Sequence, residues 1–287
     1  MIVVTGATGR VGGRVLARLA GTGVRVRAVA RDPERLAAAA AAHGAEPVAA
    51  DLTDPESLAP AVAGADAVFL VFPSVAGDAM AARTVAALAA GTRRIVYLST
   101  HGAQHSRPDA GGILGSHALL EQLIADAVPE RTFLRASGFA ANTLGWAAQL
   151  RHGDVLRWIF PDAVRALVHE DDLAAVGVAA LLDDGPAGLV GAAPHLSGPE
   201  QLSQAAMLDR IGVATGRSLT FAEVDPASAS DLFPGAPAEL VEAIVAGQRA
   251  LVDTPEPVSD DVEKVLGRPA FTFARWASDH AADFARA

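Results

Sequence analysis

The first half of the chain alternates short apolar runs with alanine-rich stretches of helical period, the pattern of a parallel sheet covered by helices on both faces. Ile2–Thr5 predicts a first strand and Val24–Ala30 a second. The helix that follows is punctuated by Asp32 as its cap, Pro33 at its first position and Gly44 at its end. Pro47–Ala50 predicts strand three; Asp54-Pro55 opens another helix in the same manner, and Gly64 closes it. Ala67–Phe72 is continuously apolar, as a strand buried on both faces should be. A helix over Asp78–Ala90 leads to strand five at Arg94–Ser99, and a helix over Ser116–Ala127 leads to strand six at Arg131–Arg135. Beyond residue 135 the rhythm loosens. Helices are expected at Phe139–Leu150, Glu170–Leu182, Gln201–Thr215, Ala238–Leu251, Ser259–Leu266 and Phe273–Ala285, with strands at Leu189–Ser197 and Ser218–Val224. Pro255 and Pro257 mark a loop.

Composition narrows the class of function. The 287 residues carry 23 Lys and Arg against 33 Asp and Glu, a net charge of −10. That balance argues against a nucleic-acid partner and against an anionic membrane surface. The absence of cysteine excludes disulfides, thiolate metal sites and cysteine nucleophiles. No charged segment followed by an apolar stretch opens the sequence, and Ala37–Ala42 is too short to span a bilayer, so a cytoplasmic protein is expected. His101 and His105 stand four apart, but Gly102 makes the stretch a loop and no third ligand is apparent; no metal is expected. Glu170-Asp171-Asp172 reads as the acidic first turn of a helix. No G-x-S-x-G nucleophile elbow occurs.

The chemistry-bearing motif is Thr5-Gly6-Ala7-Thr8-Gly9-Arg10-Val11-Gly12, with glycines at 6, 9 and 12 between the first strand and its helix. Gly6 permits the tight turn, Gly9 lets backbone approach a diphosphate, and Gly12 lets the helix lie close to the sheet. Thr8, Arg10 and Val11 belong to the same phosphate-facing loop, whose free N–H groups and helix dipole favour an anion. This spacing inside a βαβ unit implies a dinucleotide. The expected fold is therefore a doubly wound parallel Rossmann sheet at 1–150, rejoined by elements within 165–197, with a smaller C-terminal α/β cap at 151–287. Asp32 stands near the position of the acid that grips the ribose in NAD binders, but it also explains itself as a helix cap. Arg31 leaves the strand end, where its guanidinium can fork onto a 2′-phosphate, helped by Arg10 and Arg35; NADP (NADPH) is the expected cofactor. Asp51 and Leu52 are placed to bound the adenine, unless Asp51 only organises its turn, and Phe72 and Pro73 to flank the nicotinamide ribose.

These residues resemble the NmrA-like branch of atypical short-chain dehydrogenases, most closely the quinone oxidoreductase type 2 and triphenylmethane reductase group. The resemblance extends through Ser99-Thr100-His101-Gly102-Ala103, His117 and Glu121, Leu134-Arg135, Asn142, and Leu196-Ser197-Gly198-Pro199. It implies an NADPH-dependent oxidoreductase, acting as monomer or homodimer on a small-molecule substrate, flat and aromatic or quinonoid. Ordinary members of the superfamily use a Tyr-x-x-x-Lys pair. Here Tyr97 is the only tyrosine and Lys264 the only lysine, so the pair cannot exist. A hydride acceptor of the quinone type does not need that acid, because water can protonate the product. His117 is the candidate for gripping the ribose and assisting the proton, and Glu121, one turn on, either orients it or pairs elsewhere. Ser99 and Thr100 are expected to face the crevice at the end of strand five, Ser99 toward the cofactor and Thr100 with a catalytic role. Phe139, Asn142 and Trp146 are expected on the substrate side, with core packing an equal alternative for Phe139 and Trp146. Two other readings stay open: an NADP-sensing regulator without turnover, as NmrA-type members imply, and a reductase or epimerase tailoring a secondary metabolite.

Overall fold

The computed structural model describes residues 1–72, 77–183 and 188–286. Its chain divides into two units. The first is Met1–Ala136 with Glu170–Leu196 and Asp261–Arg268; the second is Ser137–His169, Ser197–Asp260 and Pro269–Ala287. The first unit thus ends its opening stretch at Ala136, not at 150, and takes back a late helix as well as residues 170–196.

In the first unit β1 (Ile2–Thr5), α1 (Arg10–Leu19), β2 (Val26–Ala30), α2 (Pro33–His43), β3 (Glu46–Ala49), α3 (Leu58–Val62), β4 (Ala67–Leu70), α4 (Asp78–Ala89), β5 (Arg94–Thr100), α5 (Gly112–Ala127) and β6 (Glu130–Ala136) follow in order. The strands lie as β3-β2-β1-β4-β5-β6, and a two-residue strand, His195–Leu196, pairs parallel to β6 at Arg135 and Ala136. All the pairings are parallel. β1 has β2 on one side and β4 on the other, so the winding reverses there, where open α/β sheets bind ligands at the carboxyl ends of their strands. Both faces of β1 and β4 are buried, which accounts for their unbroken runs of apolar residues. The helix Glu170–Leu182 can lie against β4 because Gly177 carries no side chain: a Cβ there would stand 2.8 Å from the Phe69 ring. Its acidic first turn is an anchor. Arg14 of α1 reaches Glu170 at 3.1 Å and Asp171 at 2.8 Å, and Arg268 reaches Asp172 at 2.7 Å.

The second unit contains two small sheets. Val155–Trp158 pairs parallel with Thr220–Glu223, and Val164–Arg165 pairs antiparallel with Leu202–Ser203. Helices Gln204–Thr215 and Phe273–Asp279 pack around a core that includes fully buried Trp276, Phe284, Ile211 and Leu150. The loop carrying Pro255 and Pro257 is held by Glu256, whose carboxylate accepts from the Gly138 and Ala166 amides and pairs with Arg165. Among the described residues no helix is long and apolar enough to cross a membrane.

Several boundaries depart from expectation for local reasons. The late strand expected over Leu189–Ser197 shrinks to two residues, because Gly191 takes φ +82° and Pro194 has no N–H to pair. α5 begins at Gly112, four residues early; the Ser116 hydroxyl donates to Gly112 O within the helix instead of capping it. Residues Ala140–Trp146 form a 3₁₀ run, with only Ala147–Leu150 α-helical. Asp54 caps nothing with its side chain, and a 3₁₀ turn at Pro55–Ser57 precedes α3. The helix expected over Phe273–Ala285 breaks after Asp279 and resumes as a 3₁₀ turn at Ala281–Phe284.

The tightest approach in the first unit is α1 against the end of β1. A Cβ on Gly12 would lie 2.3 Å from Gly6 O and 2.9 Å from Thr5 O, both backbone atoms that cannot step aside. Gly12→Ala is therefore expected to lower the unfolding free energy by about 1–3 kcal/mol, read from urea denaturation.

Candidate active site

Thr5 sits fully buried at the end of β1, its hydroxyl donating to Phe69 O at 3.0 Å and accepting from Val71 N at 2.9 Å. It staples β1 to the end of β4 at the point where the winding reverses. The chain then turns sharply: Gly6 adopts φ +60°, a region that favours glycine, and Gly9 N donates to Gly6 O at 2.8 Å. Gly9 also serves as the N-cap of α1, offering no side-chain hydrogen bond, and no acidic residue stands in the first turn. The helix dipole and its leading amides are thus left for an exogenous anion.

Above the turn lies a cleft of about 300 Å³. Thr5, Gly6, Thr8 and Gly9 form one wall, Arg31, Asp51 and Leu52 approach from the ends of β2 and β3, and Phe72 closes the side beyond β4. Arg10, Val11 and Gly12 are not part of this wall; Val11 and Gly12 are buried and Arg10 is exposed. Pro73 lies outside the described residues. The lining suits a nucleotide, with a glycine cradle for phosphates and an apolar slot between strand ends for a base.

Two acids that compete for a cofactor role are occupied. Asp32 Oδ1 accepts from the Glu34 and Arg35 amides at 3.0 and 3.1 Å, so its carboxylate caps α2. Asp51 Oδ1 accepts from the Thr53 amide and hydroxyl, both at 2.8 Å. The Thr53 amide, with Arg31 contributing, holds the Asp51 carboxyl below the usual range. Arg31 is exposed on the cleft wall; Arg35 is exposed but not part of it.

Beneath the carboxyl end of β5 is a second group of polar residues. Ser99 is 2% exposed, and its hydroxyl donates to Glu121 Oε1 at 2.6 Å. Arg135, opposite Ser99 in the β5–β6 register, grips the same carboxylate with two bonds, Nε to Oε1 at 3.0 Å and Nη2 to Oε2 at 2.6 Å. Ser99 therefore faces α5 inside the protein and not an open crevice, and Glu121 pairs with Arg135 in preference to orienting His117. His117 instead meets Tyr97: the phenol oxygen and Nδ1 lie 2.6 Å apart. Burial pushes the His117 pKa down, against the opposing pull of Glu121, and burial with Glu121 pushes the Tyr97 phenol up. Thr100 is half-buried; its hydroxyl makes only long contacts, 3.5 Å to Ala136 O and to His101 O.

Sequence reasoning gave Tyr97 no role and named Arg135 only within a motif. The available signal was spacing: Tyr97 and Ser99 alternate onto one strand face, and His117 and Glu121 lie one helical turn apart. Phe139, Asn142 and Trp146 belong to the second unit. Trp146 is 3% exposed and meets the Trp158 ring edge-on at 6.3 Å, so it is a core residue; Phe139 is half-buried and Asn142 exposed.

Arg135→Leu strands the Glu121 carboxylate in the interior, and the unfolding free energy should fall by about 3 kcal/mol, with part of the loss recovered in Arg135→Leu/Glu121→Leu. His117 is neutral in the folded state, while the unfolded chain takes up its proton near the ordinary value of about 6.5. The unfolded state thus binds more protons, so this contribution is complete above that pH and is lost as pH falls toward the folded value. Urea denaturation from pH 8 to pH 5 should show a decline that is shallower in His117→Gln.

Comparison with known proteins accords with this geometry. A family model described as NAD(P)H-binding matches residues 6–184. The (4-alkanoyl-5-oxo-2,5-dihydrofuran-3-yl)methyl phosphate reductase of Streptomyces griseus is 37% identical over 290 residues, covering 99% of each chain. The NAD(P)H azoreductase of Xenophilus azovorans is 31% identical over 295 residues, 100% of both. The crystal structure of an NADPH-dependent quinone oxidoreductase from Escherichia coli superposes with a TM-score of 0.80 at 24% identity, over 97% of this chain and 99% of that one, and so shares the fold. With a family model over most of the chain and whole-length reductase relatives, the chain belongs to the NAD(P)H-binding oxidoreductases.

Proposed function

We propose that this oxidoreductase uses NADPH to reduce a conjugated, electron-poor small molecule. The observation that carries the reading is the position of the two residues an ordinary carbonyl-reducing acid–lysine pair would need. The only tyrosine, Tyr97, is 0% exposed in β5. The only lysine, Lys264, lies in the helix Asp261–Leu266 and pairs with Asp261 at 3.3 Å. A substrate that depends on a tyrosine acid is poorly served. An acceptor whose product is a stabilised anion, protonated afterwards by water, is well served. The names of the relatives fall in that class: an acyl-substituted unsaturated lactone in one, an azo linkage in another, a quinone in a third.

When bound, the nicotinamide supplies the hydride. The chain's own residues bind and orient. The amides at the start of α1 hold the diphosphate, Thr8 and Gly9 line its path, and Leu52 and Phe72 bound the apolar parts of the cleft. Arg31 supplies the planar fork for a 2′-phosphate, while Asp32, the acid that would otherwise grip a ribose 2′-hydroxyl, is engaged in capping α2. His117 contributes a hydrogen bond at the reacting end.

Two measurements test this. Absorbance of the reduced nicotinamide should fall on mixing NADPH with quinones, azo dyes or acyl-substituted unsaturated lactones; binding of NADPH without turnover of any of them would instead favour a regulator that senses the nucleotide. Arg31→Ala should weaken NADPH by about tenfold or more and leave NADH nearly unchanged, measured by calorimetry.

A further inference from the structure

Tyr97 has no exposed surface, and its hydroxyl has one hydrogen-bond partner among the described residues, Nδ1 of His117. Two arrangements fit a 2.6 Å contact. In one the phenol donates to a bare Nδ1. In the other Nδ1–H donates to the phenol oxygen, and the phenol's own hydrogen is left unpaired in a dry core. The second carries the full desolvation penalty of a buried donor, so the first is strongly preferred.

We infer that Tyr97 is a positioning residue: its buried hydroxyl donates to Nδ1 and fixes His117 as the neutral tautomer with its proton on Nε2, which makes His117 a hydrogen-bond donor and not the proton source of the reduction. Protonating Nδ1 would turn that acceptor into a second donor and strand the phenol hydrogen. Surrendering the Nε2 proton would leave an imidazolate. A relay, in which the phenol passes its hydrogen to Nδ1 as Nε2 gives one up, would leave a phenolate at a fully buried position, where burial and Glu121 both oppose it. The proton that joins the hydride on the product therefore comes from water.

The surroundings agree. Within α5 the charged neighbour is Glu121, one turn on, and its carboxylate is neutralised by Arg135 from β6 and bonded by Ser99 from β5. β6 also presents Phe133, edge-on to the Tyr97 ring with centroids 6.5 Å apart. α4 presents Ala81, Thr84, Val85 and Leu88, with the Thr84 hydroxyl spent on Leu52 O. The short turn Ala103–His105 adds one titratable group, His105, which is exposed. Burial and the phenol together favour the neutral ring, as the lowered pKa of His117 requires.

The role as donor during turnover rests on the reductase reading above; the tautomer does not. The experiment is nitrogen–proton correlation NMR on the full chain with ¹⁵N-histidine, His117 being assigned by its loss in His117→Gln. In the wild type, Nδ1 should show the shift of an unprotonated nitrogen and Nε2 that of a protonated one from pH 8 to pH 6. A proton on Nδ1, or an ordinary titration near 6.5, overturns the inference. Tyr97→Phe should mix the tautomers and move His117 protonation up toward that ordinary value. With an acceptor that turns over, Tyr97→Phe should lower kcat/KM about fivefold at pH 8, the loss of one ordering hydrogen bond, and recover part of it on acidification, where the protonated ring always carries a hydrogen on Nε2, a rise that the wild type lacks. An unchanged profile alongside a mixed tautomer overturns the donor role. Absence of turnover with every acceptor sinks the reductase reading and leaves the tautomer assignment standing on the NMR.

Discussion

The nucleotide end of the molecule depends on one close approach, that of α1 to the carboxyl end of β1. Helix and strand meet so tightly at Gly12 and Gly6 that a methyl group cannot enter. That contact aims the start of the helix at the cleft, with its leading amides uncovered by any side chain. Thr5 supports it from behind by joining β1 to β4, so the turn is anchored to two central strands. An anion bound there would meet backbone dipoles already in place, a form of preorganisation that keeps the entropy cost of binding low.

The carboxyl end of β5 is organised differently. At the end of β5 the protein buries two polar groupings side by side, a neutral one joining Tyr97 to His117 and a charged one joining Ser99, Glu121 and Arg135. Removing charges from water is costly, and this pair is tolerable because both oxygens of the carboxylate are bonded and the arginine uses its bidentate geometry. Together the two groupings fix β5, α5 and β6 against one another. Tyr97 meets His117 there, and no lysine stands near it in sequence.

What was legible in the sequence follows the range of the interactions involved. The shape of the glycine turn could be read because its glycines answer to steric demands within eight residues. Asp32 could be read as a cap because Pro33 and Gly44 mark the same helix. The alternation of the first half fixed the parallel sheet for the same reason. The pairing of Glu121 with Arg135 could not be read, since it depends on the β5–β6 register, which brings Ser99 and Arg135 abreast across 36 positions of chain. Tyr97 was passed over because a strand tyrosine amid apolar neighbours looks like packing alone; only the helix laid over it shows where its hydroxyl goes. In the second unit the strands are two to four residues long, too short for alternation to register, so Val155–Trp158, Val164–Arg165 and Leu202–Ser203 went unforeseen.

The division of the chain has a consequence for synthesis. The first unit recruits residues 170–196 and 261–268 after the second has begun, so neither unit is one continuous stretch. As the chain leaves the ribosome, β6 must wait sixty residues for its outer neighbour at His195–Leu196. Until then its backbone edge is open to any passing strand, and that edge is where a nascent chain of this topology is most exposed to misassembly.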